Sequence, residues 1–377
     1  RVGLGTIAKQ WGRIGCLGFG GPPTHIAMLR QLCVTEREWL SAEEFQDGVA
    51  TTNLLPGPAS TQLAIFCAWR LRGIPGAVLG AVCFIVPGLV LILALSALFL
   101  AGHPPLWVRG AAAGAGAAVA AVAVHAAVGL MPASWRRVRH NPQRARWIVY
   151  LVLGGLAAVL LGPWLVALLV ACGLAEIMWQ RPGGRLSLLV AGPIGVGGLA
   201  GLGAVAWVAF KVGALSYGGG FVIIPLMRSD AVDHYHWMSS AQFLNAVALG
   251  QITPGPVVQT VAVVGYAAAG LGGGLLAAAI AFTPSFLFVV VGGRHFQRLR
   301  ANRTVQSFLD GAGPAAIGAI AGSAIPLGLA LGHLWQVAVL AIAALWLLAL
   351  RRGVVGALLG AAVLGVGAAL LLRLPVN

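Results

Sequence analysis

Leu55-Pro56-Gly57-Pro58 and Thr253-Pro254-Gly255-Pro256 lie 198 residues apart (Pro58 to Pro256) in an almost wholly apolar chain. The same displacement aligns Gly20-Gly21 with Gly218-Gly219, Trp39-Leu40-Ser41 with Trp237-Met238-Ser239, Gly15 with Gly213, Gly76 with Gly274 and Phe84 with Phe282. One register held over about seventy residues marks an internal duplication. The matched residues are mostly glycine and proline, which end helices, so the shared feature is a pair of breaks. Broken helices paired around a central site are a device of membrane transporters, whereas soluble solenoids repeat apolar contacts.

Only 9% of the 377 residues are charged and 59% are hydrophobic, with a mean hydropathy of +0.92. A soluble domain carries about 25% charged residues, so this chain must face lipid. The apolar runs are long and rich in Ala, Leu, Val and Gly, without the alternation of barrel strands. The expected fold is an all-α integral membrane protein. It has about ten transmembrane helices in two inverted-topology repeats, with broken or re-entrant helices at the GG and PGP motifs. The net charge of +15 comes from arginines in short gaps between apolar runs, the pattern of the positive-inside rule rather than of a nucleic-acid-binding surface. The five cysteines form no CxxC pair, and His234-Tyr235-His236 has no third ligand at a standard spacing. No catalytic, nucleotide-binding or metal motif is present. The expectation is therefore a non-enzyme without cofactor or metal.

Each half opens with two interrupted segments. The first runs over 2–34 and breaks at 18–23; its copy runs over 200–232 and breaks at Tyr217-Gly218-Gly219-Gly220. The second runs over 42–70 and its copy over 240–268, each broken at its PGP. Ser41 with Glu44, and Ser239 with Gln242, read as capping boxes that start these second segments. Arg70 and Arg72 follow the first PGP segment, whereas 267–274 carries no charge. The next gap reverses the pattern: 102–105 has no Lys or Arg, while Arg294, Arg298, Arg300 and Arg303 fill its copy. Equivalent gaps of opposite basic content belong on opposite sides of a membrane. This predicts an N-terminal repeat at 1–185 and an inverted C-terminal repeat at 186–377, each crossing an odd number of times, most simply five. The many glycines and alanines suit close helix packing within one chain or in a homodimer.

The breaks carry the chemistry. Two prolines stop the helix, the glycine lets backbone approach closely, and the half-helix that follows offers free amides and about +0.5 of dipolar charge. Ser60, Thr61 and Gln62 follow the first break, and Gln259 and Thr260 the second. This is a donor set for a tetrahedral oxyanion. Arg13 and Lys211 correspond, each seven residues before a GG pair and set in apolar sequence, where a cation is costly without a partner. They are candidates for balancing an anion's charge. The candidate substrate-binding set is Arg13, Gly20, Gly21, Pro56, Gly57, Pro58, Thr61, Gln62, Lys211, Gly218, Gly219, Pro254, Gly255, Pro256, Gln259 and Thr260. Asp47, read as the innermost acid of its group, and Asp310 are candidates for proton coupling.

The strings GFGGPPTHIAMLRQ, WLSAEEFQDG and LLPGPASTQLAIF, with FKVGALSYGGGFVIIPLM and QITPGPVVQTVAVVGY in the second half, resemble the chromate ion transporter family in its two-domain form. The likeness is close over 11–88 and 209–288. It implies proton-coupled export of chromate across the bacterial inner membrane, giving chromate resistance, with sulfate as the isosteric analogue. Pro23 and Thr24 after the GGP depart from the usual first-half string. A sulfate or organic-anion exchanger, or an anion channel, on the same scaffold is the alternative.

Overall fold

The computed structural model describes residues 2–52, 55, 57–102, 104–138, 141–161, 164–180, 201–216, 221–292 and 302–375. Its regular structure is helical, with no strand among the described residues. Among the described residues five helices are long and apolar enough to cross a membrane. In chain order the helices of the first half are α1 Leu4–Leu17, α2 Pro22–Arg30, α3 Ala42–Thr52, α4 Ala59–Phe99, α5 Leu106–Trp135, α6 Asn141–Leu160 and α7 Leu165–Gln180. The second half has α8 Leu202–Leu215, α9 Ile223–Arg228, α10 Ser240–Ile252, α11 Thr260–Gly292, α12 Arg303–Leu329, α13 Leu334–Ala344 and α14 Val354–Leu370.

Both predicted capping boxes form. The Ser41 hydroxyl accepts from Glu44 N–H at 3.0 Å while Glu44 Oε2 accepts from Ser41 N–H at 3.2 Å. Ser239 and Gln242 repeat the exchange at 3.2 and 2.8 Å. They start α3 and α10 where the sequence placed them.

The broken segments do not run on past their breaks; they double back. Arg70, at the far end of the first leg of α4, pairs with Glu44 at the start of α3, and Gly48 lies against Phe66. Segment 42–70 is therefore an antiparallel hairpin with its PGP at the tip. Gln10, Arg13 and Ile14 of α1 face Ala27, Met28 and Gln31 across a shallow groove, so α1 and α2 form a second hairpin. Lys211 of α8 reaches Asp230 just beyond α9 at 2.7 Å, which closes the corresponding hairpin of the second half. A fourth is made by α10 and the first leg of α11, where Gly250 abuts Thr260.

α4 and α11 each turn sharply in mid-course. Arg72 and Gly73 leave helical geometry (φ −142° and +63°), as do Ala269 and Gly270 (φ −151° and +62°). Beyond the turn Gly80 touches Ala68, although residues twelve apart in one straight helix are about 18 Å apart. The two turns are 197 residues apart, so the register between the halves slips by one after the PGP. Gly76 packs on the carbonyl of Ala68 and Gly273 on that of Gly265; Gly15 packs on Phe84 and Gly213 on Ala281. The sequence pairing of Gly76 with Gly274, and of Phe84 with Phe282, is thus corrected by one residue.

Outside the four hairpins, the apolar helices among the described residues are the second legs of α4 and α11 with α5, α6, α7, α12, α13 and α14. Beside the five helices long enough to cross a membrane stand four shorter apolar ones among the described residues, and the interrupted segments double back as hairpins. Small residues bring these helices into backbone contact. Gly110 packs on Gly365, Gly114 on Ala361, and Gly318 on Leu151. A Cβ on Gly110 would lie 2.6 Å from the Gly365 carbonyl, so Gly110→Val would part α5 from α14. Ile148, Val152, Leu156 and Leu160 of α6 are exposed, a lipid-compatible face. The hairpin shafts and tips lie in the main apolar core with α5 and α14.

Candidate functional site at the four hairpin tips

The tips meet in the core and are exchanged between the halves. Gly57 N–H donates to the Ser216 carbonyl at 2.6 Å, and Gly255 N–H donates to the Gly18 carbonyl at 3.1 Å. Gly57 and Gly255 are 198 residues apart, and so are Gly18 and Ser216. Each PGP tip thus bonds to the GG-type tip of the other half. Gly57 and Gly255 have φ of +126° and +104°, a backbone that favours glycine.

The second leg of the opposite half closes over each PGP. Gly88 of α4 lies against the Pro254 carbonyl, and Ser285 of α11 holds the corresponding place beside Gly57, 2.6 Å from where a Cβ would stand. Gln62 and Gln259 fold back over the glycine of their own break, and Gln259 Nε2 donates to the Ile85 carbonyl at 2.8 Å. The one-residue slip makes these glutamines counterparts. It arises because α4 starts directly at Ala59, whereas Val257–Gln259 form a short 3₁₀ turn before α11.

Several predicted donors come together here. Pro58, Gly57, Thr61 and Gln62 are buried, as are Pro254, Gly255, Pro256, Gln259 and Thr260. No side chain caps the start of α4 after Pro58. Thr61 Oγ1, Ser216 Oγ, Ser285 Oγ and Gln259 Oε1 are buried and have no hydrogen-bond partner among the described residues. Buried polar atoms are normally paired, so this cluster has spare capacity for a polar ligand. Thr260 differs, because its hydroxyl donates to the Val257 carbonyl at 2.8 Å. Gly20 and Gly21 sit at their tip with φ of +96° and +75°. Pro56, Gly218 and Gly219 lie outside the described residues.

The predicted charged groups lie on the shafts. Lys211 is paired with Asp230 and stands 5.7 Å from the Trp207 ring; Arg13 is exposed. Asp47 is exposed on α3 instead of interior. Its place follows from the hairpin, which turns that face of α3 outward. Asp310 lines a separate cavity of about 210 Å³ with Arg137, Tyr150, Glu176 and Gln180. There Arg146 grips Glu176 through two bonds of 2.7 and 2.8 Å. At the mouth of the first PGP hairpin, the Ser41 N–H and then Arg70 hold the Glu44 carboxyl below its usual range.

Sequence reasoning missed Ser216, Ser285 and His25. The two serines come from the other half of the chain, so no local string marks them. His25 is fully buried between the Gly18 carbonyl and Ser60, and its only signal was its place just after Gly21-Pro22-Pro23.

Lipid-facing helices around backbone tips that carry unmatched polar atoms define a multi-pass membrane transport protein. The chromate transporter family matches residues 5–177 and 203–366, and the chain belongs to that family. A chromate transport protein of Cupriavidus metallidurans is 33% identical over 329 residues, 84% of this chain and 80% of its own. A probable chromate transport protein of Synechococcus elongatus is 30% identical over 86% of this chain and 84% of its own. A chromate transport protein of Pseudomonas aeruginosa is 30% identical over 84% of this chain and 79% of its own. No solved structure matches it. Family and apolar helices together make this a multi-pass bacterial membrane protein, of a transporter family and not an enzyme family.

Proposed function

We propose that the four tips enclose a midplane oxyanion site between two inverted repeats, and that the protein is a secondary transporter exporting chromate and so conferring resistance. The observation that carries this reading is the reciprocal bonding of Gly57 to Ser216 and Gly255 to Gly18 beside unmatched hydroxyls. A bare dianion in hydrocarbon costs of the order of tens of kcal/mol. A helix N-terminus returns up to about 2 kcal/mol in a partly buried setting, so hydroxyl donors, retained water and added positive charge supply the rest. Lys211 contributes to that charge only if Asp230 releases it. Rocking of one repeat against the other breaks two tip bonds at about 1 kcal/mol net each, a small enough barrier for alternating access. Asp310, in its cavity, is the carboxylate proposed for proton coupling.

Chromate accumulation in everted vesicles, with and without a proton gradient and excess sulfate, tests the reading. Gradient-dependent uptake blocked by sulfate is expected. Flux that ignores the gradient would make the protein a channel, and uptake of sulfate alone would make it a sulfate carrier. Reporter fusions after Arg72 and Gly270 test the inversion, and it falls if both report the same side.

A further inference from the structure

Among the described residues the tips hold one ionisable side chain that the transport reading leaves unused. The His25 ring is fully buried. Its Nε2 lies 2.8 Å from the Gly18 carbonyl, its Nδ1 lies 3.3 Å from Ser60 Oγ, and its edge meets Phe84 at 5.0 Å between centroids. A carbonyl only accepts, so Nε2 carries the hydrogen, and Nδ1 is left as acceptor for the Ser60 hydroxyl. The same Gly18 carbonyl accepts Gly255 N–H, so the ring is tied to both halves at one oxygen. Its approach depends on Gly18: a Cβ there would lie 2.5 Å from the ring's Cδ2.

We propose that His25 takes up a proton as the oxyanion enters, so that proton and anion bind together. The inference rests on the oxyanion site proposed above. His25 is in the first turn of α2 and Ser60 in the first turn of α4, so two helix N-termini surround the ring with partial positive charge. In an empty site that charge disfavours an imidazolium. A dianion at the same helix ends reverses the balance. A proton from water bonds to Nδ1, and the new N–H donates to Ser60 Oγ. The Ser60 hydrogen, no longer held by Nδ1, turns to donate to the anion. One proton thus adds a unit of positive charge and frees one donor.

The ionisable groups on the elements packed against the ring are Lys9, Arg13 and Cys16 on α1, Arg30 on α2, and Cys67, Arg70, Arg72 and Cys83 on α4. Tyr266 is the one on α11. Among the described residues the ring's polar contacts are Gly18 and Ser60 alone. Position 223, the counterpart of His25, is Ile223, so the second half adds no such proton. The His25 proton moves in the same direction as the anion, and it offsets any proton that Asp310 moves the other way.

The test is sulfate binding to the full chain in lipid nanodiscs from about pH 5.5 to about 8.5, where sulfate stays a dianion and histidine titrates. Proton uptake is read from how the heat of binding varies with the buffer's ionisation enthalpy. Wild type should take up close to one proton per anion and lose affinity by up to about tenfold per pH unit on the alkaline side. His25→Gln, which keeps an amide donor for Gly18, should bind at the weak alkaline level without pH dependence. Anion binding with no proton uptake by wild type overturns the proposal while the oxyanion site stands; this arm needs no variant. Proton uptake unchanged in His25→Gln, or in His25→Asn, overturns it too. No binding at any pH removes the oxyanion site and this proposal with it.

Discussion

Gly57→Ala sets the tip geometry against a control at the other end of the first leg of α4. Gly57 has φ +126°, and an alanine there is strained by about 1–3 kcal/mol. Its Cβ would also stand 2.6 Å from Ser285 Oγ and still closer to Gln62 Nε2, so the tip must move. Moving it parts the Gly57 N–H from the Ser216 carbonyl, and a buried group left unpaired costs about 1–3 kcal/mol. The total is roughly 2–6 kcal/mol, against a tip bond worth about 1 kcal/mol net. The tip therefore yields while the surrounding helices hold. Gly73→Ala is the control: φ is +63° and no atom lies within 4 Å of its Cβ, so only strain of about 1–3 kcal/mol applies. Chromate flux into everted vesicles should fall by at least about 30-fold for Gly57→Ala, the equivalent of about 2 kcal/mol. Gly73→Ala should lose thermal stability and keep its flux. Wild-type flux from well-expressed Gly57→Ala, or equal loss in both variants, would refute the reasoning.

Lys211→Met strands the buried Asp230 carboxylate, at a cost of up to about 3–5 kcal/mol, so its expression should drop; Lys211→Met with Asp230→Asn should restore it. Flux in that double variant then decides whether Lys211 serves the anion, since wild-type flux would exclude it. Ser285→Ala removes a buried hydroxyl without a described partner. It should leave the melting temperature unchanged or higher and weaken anion binding by about five- to tenfold, one hydrogen bond's worth; unchanged affinity removes Ser285 from the site. Glu44 has its pKa depressed by Ser41 N–H and Arg70, so its stabilising contribution is complete above the unfolded value and is lost as pH falls through the lower folded value. Glu44→Gln should flatten the acid limb of thermal stability, and an unaltered limb would show that the pair contributes nothing.

What was legible in the sequence was chemistry carried by a few adjacent residues. Pro-Gly-Pro stops a helix whatever surrounds it, and Ser-x-x-Glu caps one, so the breaks and the starts of α3 and α10 fell where predicted. Whether the chain runs on or reverses after a break depends on what the far end meets. The opposite charges of Glu44 and Arg70, 26 residues apart, carried that information without the local pattern needed to read it. The one-residue slip after the second PGP stayed hidden for a similar reason: Gln259-Thr260 matches Thr61-Gln62 in composition, and only the fold-back over Gly57 and Gly255 pairs glutamine with glutamine. This slip changes which differences between the halves matter. With the corrected register Ser285 stands opposite Gly88, and by the displacement that holds before the PGP His25 stands opposite Ile223. The polar member of each unequal pair touches the first PGP hairpin, Ser285 beside Gly57 and His25 beside Ser60, and His25 also shares the Gly18 carbonyl with Gly255 of the second; Gly88 stands at Pro254 in place of Ser285. In the proposed oxyanion site, the donors that differ between the halves stand on the side of the first PGP. Under the proposed alternating-access cycle, two halves alike in backbone but unlike in donors give the site a preferred end, and the exchange of Ser285 with Gly88 and of His25 with Ile223 is the physical source that reading assigns to any difference between inward- and outward-facing affinity.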